Sequence, residues 1–113
     1  MTITVGLLIK YNDDQKEGMI KSPSDRAKVS AAAVAEYGGK LLAAYGSYGE
    51  YDMLFIYEMP NEQVLAANLH LVDGHGVAKY SKVIPLMSNE DFVESQAMAA
   101  NNNNTSYRAV GEP

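Results

Sequence analysis

The stretch Tyr51-Asp52-Met53-Leu54-Phe55-Ile56-Tyr57-Glu58-Met59-Pro60 is the clearest strand signal in the chain. Its odd positions are Tyr51, Met53, Phe55, Tyr57 and Met59; its even positions are Asp52, Leu54, Ile56 and Glu58. Both sets are apolar through the middle, the mark of a strand covered on both faces. Pro60, which cannot donate to a ladder, ends it. Upstream, residues 2–11 alternate: Ile3, Val5, Leu7, Ile9 and Tyr11 share one face, and Thr4, Gly6, Leu8 and Lys10 form a less apolar opposite face. Residues 40–47 are short, apolar and bounded by glycine. Although Leu41-Leu42-Ala43-Ala44 are good helix formers, Gly46, Gly49 and the neighbouring tyrosines favour strand and turn. Residues 77–87 make a fourth strand, bent or ended at Pro85.

Between the strands, residues 12–18 carry the charge and the Asn-Asp chemistry of a loop. A helix follows, with Ser22 as its cap, Pro23 at the first helical position, Asp25 at the positive end of the dipole and a body from 26 to 37. Ala27, Ala31, Val34 and Ala35 form a smooth stripe for close seating on a sheet, and Gly38-Gly39 supplies the stop. Asn61 caps a second helix over 62–73, with Val64, Asn68 or Ala67, and Leu71 on one face and Gly74 beyond its end. Ser88 with Asp91 three residues on resembles a capping box and opens a third helix containing Phe92, Val93 and Ala97.

The order β-α-β-β-α-β is the ferredoxin-like split βαβ arrangement, an α+β fold with an antiparallel sheet, two helices on one face and an extra C-terminal helix. Nothing in the chain except that third helix is available for the other face, so two sheets facing each other across a two-fold axis are expected, as a homodimer or a higher homo-oligomer. The domain spans residues 1–100. From 101 to 113 an Asn-rich run and an aperiodic end read as a mobile tail. Asn103-Asn104-Thr105 matches a glycosylation acceptor, which carries no meaning without a secretory signal.

Composition narrows the function classes. The chain has 113 residues, no cysteine, and 9 Lys+Arg against 14 Asp+Glu for a net charge of −5. That length fits one domain and leaves no room for a separate cofactor domain. Disulfides, thiolate metal sites and a cysteine nucleophile are excluded. No basic cluster exists to bind nucleic acid. The longest apolar run, residues 5–9, is far short of the roughly 20 that a membrane helix needs. A soluble, cytoplasmic protein is expected, with no nucleic-acid or membrane partner and no cofactor. There is no Gly-rich phosphate loop and no Gly-x-Ser-x-Gly elbow.

The segment Gly49-Glu50-Tyr51-Asp52 and the apolar strand after it, through Pro60-Asn61, resembles the signature of the GYD-domain family, named for Gly-x-Tyr-Asp. The resemblance runs from the first strand through Ser22-Pro23 and Gly38-Gly39-Lys40-Leu41 to Phe92. It implies a dimeric α+β barrel, in the superfamily that also holds small cofactor-independent monooxygenases, muconolactone isomerase and polyketide cyclases. It implies no particular reaction. The sequence departs from the family pattern in His70-Leu71-Val72-Asp73-Gly74-His75-Gly76, a segment that usually lacks histidine.

Several residues could carry chemistry. His70 and His75 are the only histidines, and their five-residue spacing does not put both on one helical face. His75 is expected in the loop entering the last strand. In related barrel cyclases and monooxygenases a histidine near that junction faces the cavity, so the resemblance makes His75 the candidate acid or base, against the plainer role of an exposed loop residue. For His70 a contact with the helix C-terminus competes with ligand binding. Tyr80, or Tyr51, would orient a substrate oxygen. Asp52 is either a buried carboxylate for base or cation chemistry or a cap for the preceding turn. Lys10 could anchor a substrate carboxylate or merely be solvated, and Tyr11 beside it joins the substrate-binding candidates. Tyr45, Tyr48, Tyr51, Tyr57 and Tyr80 fall on or beside strands, suiting an aromatic or polyketide-like ligand, or equally packing. His70, Asp73 and His75 could supply three metal ligands, but there is no helical His-x-x-x-His pair and no metal is expected. Two readings follow: a cofactor-independent enzyme, or a non-catalytic ligand-binding or accessory assembly protein.

Overall fold

The structure is a computed structural model that describes residues 2–102 and 106–113. The elements run β1 (Ile3–Tyr11), α1 (Asp13–Lys21), α2 (Arg26–Glu36), β2 (Lys40–Gly46), β3 (Met53–Met59), α3 (Glu62–Gly74), β4 (Ala78–Leu86) and α4 (Asn89–Asn101). The strands form one antiparallel sheet in the order β2-β3-β1-β4, the ferredoxin-like arrangement.

The register explains the apolar pattern of the two central strands. Val5 lies opposite Tyr57, Leu7 opposite Phe55 and Ile9 opposite Met53, so the odd residues of β1 and β3 share one face. Val34 of α2 and Leu65 of α3 join that face in the core, where Tyr57 and Met59 are the most completely buried side chains. The even face carries Leu8, Leu54, Ile56 and Ile84 and is only half-buried. No helix is packed across it to any extent among the described residues. α4 buries none of its residues and leaves Phe92, Val93 and Met98 exposed. Pro85 does not interrupt β4: it faces Val5 from an edge strand, where the missing N–H goes unneeded.

One element differs from expectation. Residues 13–21 are a helix where a loop is predicted, and two helices stand where one is expected. The Asn12 side chain accepts from the Gln15 N–H at 2.9 Å, and Asp13 and Asp14 fill the positively polarised first turn. Asn and Asp signal turns and caps alike, and here the cap prevails. Asn12 is itself fixed by its N–H to the Val77 carbonyl and its amide to the Gly76 carbonyl. Ser22 closes α1 instead of opening α2, and the cap of α2 is Asp25, which accepts from the Lys28 N–H. The inward residues of α3 are Leu65 and Asn68; Leu71 stays 42 % exposed.

At the α2–β2 connection Gly38 has φ +77°, the left-handed conformation that glycine takes without strain. Gly39 serves a different need. A Cβ there would lie 2.5 Å from the Glu58 carbonyl oxygen and 2.8 Å from Val34, so only glycine lets this link pass so close to β3. The Asn103-Asn104-Thr105 match lies outside the described residues, as does part of the expected tail; residues 106–113 are irregular and exposed.

Candidate functional site

A cavity of about 400 Å³ separates the odd face of the sheet from α2 and α3. Its existence follows from side-chain size and helical spacing. Arg26, Val29, Ser30, Ala33 and Val34 of α2 recur at the three- and four-residue steps of one helical stripe and all line it. Asn68, Leu71, Val72 and His75 do the same from α3. The small side chains of Ser30 and Ala33 on α2 leave the gap unfilled. Leu7, Ile9, Phe55 and Leu41 supply the apolar floor.

The polar groups are unevenly distributed. Tyr11 ends β1, Gln15 comes from α1, Arg26 opens α2 and His75 caps α3 with its N–H on the Leu71 and Val72 carbonyls. The Asn12 bonds to Gly76 and Val77 bring the start of α1 and the end of α3 together, so these groups gather at one end. Further along the sheet, Tyr57 and Asn68 form a second polar pair, with the phenol donating to the Asn68 Oδ1 at 3.5 Å. Burial pushes the Tyr57 phenol up to about 12. Burial also raises Tyr11, more strongly than its hydrogen bond to Arg26 lowers it. Both phenols therefore keep their protons at neutral pH. Among the described residues no Asp or Glu lines the cavity.

Asp52 lies at the edge of this arrangement, buried, with three donors on its carboxylate: the Lys16 Nζ at 2.6 Å, the Tyr11 N–H at 3.0 Å and the Lys10 Nζ at 3.4 Å. Burial alone would raise its pKa, but the Lys16 and Tyr11 hydrogen bonds and the two lysine charges together hold it below the usual value. These partners sit on α1 and β1, so the carboxylate ties three segments together; its side chain makes no bond to the preceding turn among the described contacts.

Of the residues singled out in the sequence, His75 and Tyr11 come together on the cavity. Lys10 and Asp52 adjoin it through the Tyr11 backbone. Tyr80 is aligned with Lys10 in the register, so it belongs to the other face of the sheet. There its ring meets Tyr51 edge-on at 5.5 Å and its hydroxyl donates to the Glu50 carbonyl. His70 is exposed and off the cavity. Among the described residues no three His, Cys, Asp or Glu are gathered closely enough to hold a metal ion, and no helix is long and apolar enough to cross a membrane. Arg26 and Gln15 were not expected at the site from the sequence, and Asn68 was expected only as a helix-face residue. The 26-29-30-33-34 spacing was the available signal for Arg26.

The family model for the GYD domain matches residues 7–95. No curated protein matches the chain. Among solved structures, the chain is similar to a dimeric ferredoxin-like protein of unknown function from Thermobifida fusca YX, with 18 % identity and a TM-score of 0.44 over 78 % of this chain and 92 % of that one.

Proposed function

The chain belongs to the GYD-domain family, and from that premise we propose that it is a homo-oligomeric small-molecule-binding protein whose ligand occupies the cavity between the sheet and helices α2 and α3. One observation carries the reading: a cavity of about 400 Å³ with apolar walls and a few convergent polar groups, within the usual size range of small-molecule sites. Oligomerisation is supported by the even face of the sheet, where Leu8, Leu54, Ile56 and Ile84 are only half-buried and no covering layer is packed on them among the described residues. A second copy meeting it across a two-fold axis, as a dimeric α+β barrel, would bury these side chains.

A catalytic reading is favoured by one further observation. His75 shares the cavity with two protonated phenols, Tyr11 and Tyr57. An imidazole can accept or return a proton near neutral pH while phenols steady a substrate oxygen. This suits a cofactor-independent cyclase, isomerase or monooxygenase acting on an aromatic or polyketide-like compound. Tyr11 and Tyr57, not Tyr80, are then the phenols in reach. The alternative is a non-catalytic ligand-binding or accessory assembly protein with the same cavity.

The test uses the two histidines against each other. The imidazole C–H signals are followed by NMR as small aromatic compounds are added, with His75→Gln giving the assignment. His75 shifting while His70 stays still is the expected result. Two unmoved imidazoles across the whole panel would overturn occupation of the cavity. Loss of turnover in His75→Ala with retained binding would then separate the enzyme from the binding protein.

A further inference from the structure

We propose that the ligand of this cavity is an apolar carboxylate, its head group paired with the Arg26 guanidinium and its body laid along Leu7, Phe55 and Val34. The proposal rests on the reading of the cavity as a ligand site and adds the chemical class of what enters it.

Arg26 is a half-buried cation that makes no ion pair among the described residues. The ion pairs among the described residues are Lys10–Asp52, Lys16–Asp52 and Lys21–Glu17, and none involves it. Asp52, the buried carboxylate beside Tyr11, is already engaged by two lysines and a backbone N–H. Its hydrogen bond among the described residues is to a neutral group, Ser24 Oγ at 3.3 Å, and the Tyr11 phenol lies close enough for the guanidinium to act on its pKa. These leave most of its five N–H donors unused. Asp25 and Asp52 line a separate pocket that Arg26 also borders, but among the described residues no carboxylate lines the cavity between the sheet and helices α2 and α3. A guanidinium against an apolar wall is stabilised most by a carboxylate that accepts two parallel N–H bonds.

The neighbouring groups favour the same head group. The Tyr11 oxygen interacts with Arg26, and the raised pKa of that phenol keeps its proton available for donation. Gln15 adds an amide at the same end, and His75 brings an imidazole there. Beyond them the lining turns to Leu7, Phe55, Val34 and Leu41, surfaces for hydrocarbon or an aromatic ring. One polar, cationic end and one apolar length describe an amphipathic anion. A neutral ligand would leave the guanidinium unpaired.

The test compares 2-naphthoate with 2-naphthamide, which share a ring system and differ in charge. Binding is measured by NMR on the full chain and on Arg26→Gln and Arg26→Lys. The carboxylate is expected to bind the natural protein at least about tenfold more tightly than the amide, the scale of one charge-assisted bond of roughly 1.4 kcal/mol. Arg26→Gln should abolish that preference, and Arg26→Lys should retain part of it. Equal binding of the two probes overturns the carboxylate assignment and leaves the cavity reading standing, because the amide still reports an occupied site. A preference that survives Arg26→Gln also overturns it. If neither probe binds at millimolar concentration, the cavity reading fails and this inference fails with it.

Discussion

Asp52 is the residue on which the local electrostatics turn. Read along the chain, an Asp before an apolar strand is a turn cap or a buried acid, and the neighbours that decide between them are 36 to 42 positions away. Because its native pKa is held below the ordinary value of 3.8, it stabilises the fold fully above that value, and the contribution disappears as pH falls through the native pKa. Asp52→Asn is expected to cost about 1–2 kcal/mol at pH 7, with the lysine partners' exposure keeping the figure modest. Urea melts of the two proteins should converge at low pH; a gap that stays constant down to pH 2 would contradict the assignment. Tyr57 has the opposite sign. Its pKa is raised to about 12, so its contribution is complete below about pH 10 and is lost as pH climbs from there to about 12. Tyr57→Phe should remove that alkaline loss and cost about 1 kcal/mol at neutral pH through the Asn68 oxygen left without its donor. Melting curves between pH 8 and pH 12 check both.

At the scale of elements, α1 is the piece whose stability is borrowed. It fully buries no residue and exposes Ile20 to 79 %, and its apolar contact with the core comes through the partly buried Met19 alone among the described residues, so apolar packing holds it only weakly. The Lys16–Asp52 contact and the Asn12 cap add to that contact. Lys16→Met should therefore speed amide hydrogen exchange across residues 13–21 and leave β1 and β3 protected; uniform exchange changes would argue against local tethering. Gly39 is the contrasting case, a rigid joint. Gly39→Ala forces a methyl against the Glu58 carbonyl, and a loss of about 2 kcal/mol or more in thermal stability is expected. Most elements were legible in the sequence because each carries a redundant signal. β3 has its period, its apolar middle and Pro60; α3 has Asn61 and Gly74; α4 has Ser88 bonded to the Asp91 N–H. α1 was not legible, since Asn12-Asp13-Asp14 serves a loop and a helix start equally well. The half of the site on α3 was readable only in part: His75 was found, but its place in line with Asn68, Leu71 and Val72 depends on the helix running through 74.

For the whole molecule, the proposed dimer turns on the even face of the sheet. Ile56 lies near its centre, paired with Gly6 on one side and Ala43 on the other. Ile56→Lys would place a charge within the expected interface while leaving the odd-face core untouched, and sedimentation should change from dimer to monomer mass. An unchanged mass would move the interface elsewhere. The sequence by itself determined the four strands, their alternation, the apolar character of both sheet faces and the presence of His75 near the last crossover, because periodicity, glycine and proline act on backbone geometry within a few residues. Only the tertiary structure decided that Asp52 belongs with Lys16, Lys10 and Tyr11, that Tyr80 faces away from His75, and that Arg26 borders a cavity lined by no carboxylate among the described residues. Those facts follow from strand register and helix rotation, which join residues tens of positions apart. A one-residue change in either would turn each of these side chains to another face.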